Sequence, residues 1–300
     1  MTYGQLSNLV IQEMKPIYGD REARAIQRYL FVNLGGKSMH EWILLYNEKA
    51  DENFCNKILG SMEDLKNHKP VQYVTGKVRF CDLNFEVSAD VLIPRPETEE
   101  LVFLIINKLG KNASHKILDI GTGSGVIAVS LAKYLPFSTI DAIDISQEAI
   151  EIAKKNARLN EVTLDFKQFD ILRFKHQDSK NPEVIEKEDS AAFGMYDVIV
   201  SNPPYVKESE MSAMTSNVLD YEPHTALFVP DDDALKFYIA IINFSKTHLT
   251  SYGWLFFEIN EQEDLNLKAL LEMEGFENVE VLRDFNEKSR FIVANNKVKK

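Results

Sequence analysis

Cysteine is nearly missing from this chain: only Cys55 and Cys81 occur. Two thiols make no disulfide framework, and that scarcity fits a reducing compartment. Six histidines are scattered without the Cys/His spacing of a zinc site, so no metal is expected. Long hydrophobic runs are missing too. A run such as "LVFLII" at 101–106 is as long as any, whereas a membrane helix needs about 20 residues. The N-terminus "MTYGQLSNLVIQEMK" has no basic stretch followed by an apolar one, so no signal peptide is read. Basic charge is in short supply: 34 Lys and Arg stand against 46 Asp and Glu, a net charge of -12. Such a surface repels phosphate backbones at long range, so stable nucleic-acid binding is not expected. These absences predict a soluble cytoplasmic protein that contacts no membrane, with a monomer as the expected state.

What is present is enough for a large core. The chain has 300 residues, 45% of them hydrophobic, and its length suggests two domains. Residues 1–69 read as helical. Leu6, Leu9, Val10 and Met14 fall at helical spacing, and "GG" at 35–36 punctuates the pattern. Ser38 and Glu41 form a candidate capping box for a further helix. Residues 70–93, with alternating β-branched and aromatic side chains around Gly76, read as a β-hairpin connector. In "PRPETEELVFLIINKLG", carboxylates fill a helix's first turn and Gly110 closes it.

From residue 116 strands and helices alternate. Strands are expected at 116–120, 139–143, 163–166, 196–200, 254–259, 279–282 and 290–294. Helices are expected at 125–134, 147–159, 233–249 and 261–273. This predicts an α/β fold, a mostly parallel Rossmann-like sheet covered on both faces, over residues 94–300. The charged stretch between Leu172 and Phe193 reads as a surface loop, and "NNKVKK" at the C-terminus as a solvated tail. Trp42 and Trp254 read as core residues.

"ILDIGTGSGVIAVSLA" at 117–132 is strand, glycine turn, helix. Gly121, Gly123 and Gly125 fit a tight turn whose backbone can approach a nucleotide-like ligand at the sheet's carboxyl edge. Asp144 ends the next strand, where a carboxylate can accept both hydroxyls of a ribose. A dinucleotide fingerprint would place its third glycine one position later. Asp119 beside the loop would repel phosphate but attract an ammonium group. S-adenosylmethionine, with a ribose, an α-ammonium and no phosphate, fits better than NAD. A structural turn remains the plain alternative for the glycines alone.

"NPPY" at 202–205 leaves a buried strand on the same edge. Asn202 brings an acceptor oxygen, and Pro203 and Pro204 bring carbonyls without N–H groups at fixed φ. With the Tyr205 ring alongside, this is a stiff acceptor frame for a planar –NH2 group. A conjugated amine is a weak nucleophile, so catalysis there would rest on orientation. The frame suits a glutamine amide and an exocyclic base amine equally.

"PVQYVTG", "VLIPRPETEEL", "LDIGTGSGVIAVSLA", "DISQEAIEIAKKNA", "SNPPYV" and "YEPHTAL" together resemble the PrmC/HemK family of class I S-adenosylmethionine-dependent methyltransferases. These N5-methylate the glutamine of the GGQ motif in peptide chain release factors. The resemblance covers nearly the whole chain. NPPY alone also occurs in amino-directed DNA and RNA methyltransferases, which keep that alternative open. The resemblance implies that S-adenosylmethionine binds, leaving S-adenosylhomocysteine, against Asp119, Gly121, Thr122, Gly123, Ser124, Gly125, Asp144, Ile145, Asp170, Ile171 and Asn202. The segment Phe169–Ile171 would face the adenine, with Ile171 where many relatives carry an aromatic residue. Asn202, Pro203 and Tyr205 would be catalytic and, with Pro204, hold the glutamine. The helical region would dock the release factor. Arg95, Thr98, Glu222 and Glu258 lie in matching motifs, either lining the site or bracing loops.

Overall fold

The computed structural model describes residues 1–174 and 193–296. Residues 175–192 of the charged stretch and the last four residues lie outside the described residues, whereas Asn295 and Asn296 of the expected tail are buried. Asn295 ends a strand, and Asn296 Nδ2 donates to the Leu249 carbonyl at 2.9 Å. The chain divides into two compact units.

The helical unit comprises residues 1–77 with the short segments 87–89 and 214–222. Helix α1 (Tyr3–Gly35) starts at a Thr2–Gln5 capping box, breaks regularity at Gly19 and stops at the left-handed Gly36. Helix α2 (Met39–Leu44) begins at the expected Ser38–Glu41 box. Helix α3 (Glu52–Lys66) is capped by Asp51. Their apolar stripes meet in a core of Leu6, Val10, Met14, Leu30, Ile58 and Leu65, and Trp42 stacks on Phe54 at 4.9 Å.

Residues Val71–Thr75, read from sequence as part of a hairpin, form helix α4. Val71 and Val74 pack on the helical core, and tertiary packing overrides the β-propensity of this stretch. Gly76, left-handed at φ 67°, ends the helix, where a side chain would be strained. The hairpin is therefore shorter than expected: β1 (Lys77–Phe80) and β2 (Leu83–Glu86).

The second unit comprises residues 78–86, 90–213 and 223–300. Helix α5 (Pro96–Leu109) opens with Pro96 in its first turn. Then come β3 (Lys116–Ile120), α6 (Val126–Tyr134), β4 (Thr139–Asp144), α7 (Gln147–Leu159), β5 (Asp165–Gln168) and β6 (Tyr196–Ser201). Two short parallel strands follow, β7 (Val206–Lys207) and β8 (Phe228–Val229). A short helix α8 (Ser216–Leu219), in the helical unit's last segment, lies between them in sequence. Helix α9 (Lys236–His248), strand β9 (Leu249–Glu258), helix α10 (Asp264–Met273), β10 (Glu277–Arg283) and β11 (Ser289–Asn295) complete the described chain.

Seven strands form one sheet in the order β10-β11-β9-β6-β3-β4-β5. Strands β5, β4, β3, β6 and β9 run parallel, while β11 pairs antiparallel with both its neighbours. The expected strands are therefore all present, with β5 shifted two residues and β9 starting five earlier. Trp254 lies in β9 rather than deep in the core; it is half-buried, and Lys108 Nζ sits 4.0 Å from its ring centre. Strand order reverses at β3, since β4 is added on one side and β6 on the other. The crevice at the carboxyl ends there is where an open α/β sheet binds ligands.

Two buried asparagines fasten the hairpin to α7 and the glycine loop. Asn156 of α7 donates to the carbonyls of Glu86 and Ser124 and accepts from the Glu86 N–H. Asn160 donates to the Asn84 carbonyl at 2.8 Å. One side chain thus ties β2 to the glycine loop while satisfying three backbone groups that burial would otherwise strand.

Candidate active site

The glycine loop leaves β3 at the carboxyl edge. The N–H groups of Gly121 and Thr122 both donate to the Ile143 carbonyl, bending the chain over the end of β4. Gly121 and Gly123 have φ of 75° and 54°, and a Cβ at either would meet nothing within 4 Å. That bare backbone faces a cavity of about 640 Å³ lined by Gly121, Gly123, Asp144, Phe169, Ile171 and Asn202, among others. Gly125 serves differently. A Cβ there would come within 2.9 Å of Ala153 Cβ, so this glycine lets α6 start close against α7. It does not line the cavity.

Asp144 lines the cavity. Its Oδ2 accepts the Gly123 N–H at 2.8 Å and its Oδ1 the Ser146 N–H at 2.9 Å. The Ile145 N–H adds a smaller pull on the same carboxylate, and the acceptor capacity that remains can serve a ligand hydroxyl. Burial pushes this carboxyl above its ordinary range, and the backbone N–H groups pull it back. Thr122, Ser124, Ile145, Asp170 and Ile171 also line the cavity. Phe169 adds the aromatic ring that position 171 lacks.

Asp119 is placed otherwise than expected. It is fully buried beneath the loop and does not line the cavity. Its Oδ2 accepts the Thr122 hydroxyl at 2.7 Å, so it shapes the loop from behind. Burial pushes its carboxyl from 3.8 up to about 7. Below pH 4 both folded and unfolded chains hold the proton. From about 4 to 7 the unfolded chain releases it while the fold retains it, and stability falls by at most on the order of 4 kcal/mol. Asp119→Asn removes this titration. Its stability relative to wild type, from urea unfolding at pH 5 and pH 8, should therefore be greater at pH 8. A difference that stays constant between the two pH values would exclude the titration.

Asn202, Pro203 and Pro204 follow β6 and line the same cavity. Asn202 Nδ2 donates to Thr98 Oγ1 at 3.2 Å, and the Thr98 hydroxyl donates to Glu258 Oε2 at 2.7 Å. Tyr205 does not line the cavity. Its hydroxyl turns to Glu258 Oε1 at 3.1 Å, and its carbonyl accepts from Asn260 at 3.3 Å. Burial and the adjacent Glu258 hold the Tyr205 phenol far above its ordinary range. Glu258 is itself buried, which raises its carboxyl, while the Thr98 and Tyr205 hydroxyls and the Arg290 charge favour the ionised form.

Of the remaining motif residues, Arg95 and Thr98 line the cavity. Glu222 falls in the helical unit, where its N–H donates to the Val218 carbonyl. Sequence spacing did not point to Leu92, Met211, Lys236 or Phe237 as lining residues. They come from three separate segments, and only the fold gathers them.

Residues 102–222 match the family described as Methyltransferase small domain. A release factor glutamine methyltransferase of Flavobacterium psychrophilum is 44% identical over 234 residues, covering 77% of each chain. One from Lactococcus lactis is 36% identical over 264 residues, covering 88% of this chain and 91% of that one. The chain belongs to the release factor glutamine methyltransferase family. Among solved structures, the catalytic domain of hMettl16 in complex with MAT2A 3′UTR hairpin 1 aligns with a TM-score of 0.52 at 18% identity, over 83% of this chain and 82% of that one. That likeness is one of fold. Family membership and the sheet agree with the sequence reading of an α/β methyltransferase. No helix among the described residues of this family member is long and apolar enough to cross a membrane.

Proposed function

We propose that this chain transfers a methyl group from S-adenosylmethionine to the side-chain amide nitrogen of the glutamine in the GGQ motif of peptide chain release factors. The observation that carries it is the Asn202 amide. Its nitrogen donates to Thr98, which leaves its oxygen as an acceptor, and the residue lines the cavity beside the glycine loop. Relatives named as release factor glutamine methyltransferases supply the substrate class.

The residues fit the methyl donor. The uncluttered Gly121 and Gly123 backbone gives room for its amino-acid portion, Asp144 offers two oxygens to a ribose, and Phe169 and Ile171 offer an apolar face to a base. When bound, S-adenosylmethionine supplies an electrophilic methyl on a sulfonium. Asn202 Oδ1 and the Pro203 carbonyl hold the two hydrogens of the glutamine amide and so aim its nitrogen. Proper orientation of this kind can lower a barrier by about 7–11 kcal/mol. The proton leaves after the methyl has arrived, so no strong base is needed at the nitrogen. Docking of the release factor falls to the helical unit in this reading. The exposure of Ile43, Leu44 and Tyr46 on that unit supports it.

The test is incubation with labelled S-adenosylmethionine and a release factor. Label should appear on the wild-type factor and not on a variant with the GGQ glutamine changed to alanine. Equal labelling of both would sink the proposal.

A further inference from the structure

Parallel pairing of β6 with β9 sets Ser201 opposite Phe257. The residues that follow, Asn202 just past β6 and Glu258 at the end of β9, therefore lie at one level on the carboxyl edge. The first turn of α5 brings Thr98 between them, with its side chain 3% exposed. The result is a chain of two hydrogen bonds, Asn202 to Thr98 and Thr98 to Glu258.

The chain has a direction. A threonine hydroxyl has one proton to give, and an ionised carboxylate can only accept. An ionised Glu258 therefore accepts the Thr98 O–H, and Thr98 can only accept from Asn202. The Asn202 group facing Thr98 must then be its –NH2, and the oxygen is left for the cavity. Without this anchor, the two flip states of an asparagine amide are nearly equal in shape and opposite in hydrogen-bonding sense. A flipped Asn202 would point donors at a substrate –NH2 that itself has only donors to offer.

Other contacts hold Glu258 in this role. Its second oxygen accepts the Tyr205 hydroxyl at 3.1 Å, and its backbone carbonyl accepts the Tyr238 hydroxyl at 3.0 Å. Burial raises its carboxyl and Glu97 adds to that, while the Thr98 and Tyr205 hydroxyls and the Arg290 charge favour the ionised form. Asp284 keeps Arg290 in place through a 3.4 Å ion pair. Glu258 itself does not line the cavity.

We propose that Glu258, acting through the Thr98 hydroxyl, sets the flip state of the Asn202 amide, and that Glu258 and Thr98 are positioning residues for methyl transfer. This rests on the functional reading above. Thr98→Val keeps the side-chain shape and removes the hydroxyl, whereas Thr98→Ser keeps the hydroxyl. Glu258→Gln offers one oxygen where two hydroxyls now find one each, and its amide can donate to Thr98, reversing the chain.

The experiment measures kcat and KM on the release factor, the Kd for S-adenosylmethionine by calorimetry, and urea unfolding midpoints for wild type and the three variants. Misplacing a reacting group by 1 Å costs about 10²-fold. Thr98→Val and Glu258→Gln should lose kcat on that scale with the cofactor Kd unchanged, and Thr98→Ser should return to near wild type. Wild-type kcat in Thr98→Val, or a Thr98→Ser variant as poor as Thr98→Val, overturns the proposal. A second readout does not depend on turnover. The Asn202 side-chain –NH2 signal, identified in 15N-labelled protein by its loss in Asn202→Asp, should exchange slowly with water in wild type and Thr98→Ser and faster in Thr98→Val. Equal exchange rates overturn the proposal even where the wild type fails to methylate the release factor, an outcome that rejects the functional reading instead. If Thr98→Val unfolds, Glu258→Gln carries both measurements.

Discussion

Asn202→Ala is expected to lower kcat about 10²–10³-fold, the size of effect seen when one preorganised hydrogen-bond partner is removed from a reacting centre. The nitrogen to be methylated has its lone pair delocalised into the amide, so it attacks only when held in line. Two acceptors can hold its two hydrogens, Asn202 Oδ1 and the Pro203 carbonyl, and both belong to residues that line the cavity. Alanine removes the first and leaves the backbone carbonyl, so the amide can swing about the remaining bond. Cofactor affinity should change little, because Asp144 and the glycine loop lie on other strands. Single-turnover kinetics isolates the chemical step from product release. A kcat within threefold of wild type would falsify the assigned role.

Asp144→Ala is expected to weaken S-adenosylmethionine binding by about 10²-fold or more. Hydrogen bonds to a charged group contribute about 1.5–3 kcal/mol each, and each 1.4 kcal/mol is a factor of ten in Kd. The carboxylate keeps some acceptor capacity after the Gly123, Ser146 and Ile145 N–H groups are served. Two ribose hydroxyls would take it. The substitution also frees the Gly123 N–H, so the loop loses its tie to the end of β4. Asp144→Asn keeps one acceptor oxygen and should fall between the two. Calorimetry measures this directly, and a wild-type Kd in Asp144→Ala removes Asp144 from the cofactor site.

Much of the site was legible because its parts sit at strand ends. A glycine run after "KILDI" and an acid at the end of "TIDAID" must share the carboxyl edge once both strands run parallel. The same logic placed Asn202 beside them. Side-chain direction was not legible. Asp119 and Tyr205 have the right chemistry at the right edge, yet one lies under the loop and the other turns to Glu258. Residues 71–75 misled for a related reason: the valines that suggest a strand are buried by a helical core built from residues 6 to 65.

The sequence by itself determined the strand–helix alternation of the sheet, the edge at which the candidate site lies and the acceptor character of "NPPY". These follow from local patterns, in which neighbours along the chain set turn, strand and helix. The tertiary structure alone decided which groups stand behind Asn202. Thr98 lies 104 residues from it and 160 from Glu258. No spacing encodes that meeting, because it depends on β9 pairing beside β6 and on α5 reaching their shared edge. Hydrogen-bond direction is a property of that assembled chain, and so the flip of one asparagine amide becomes visible only in the fold.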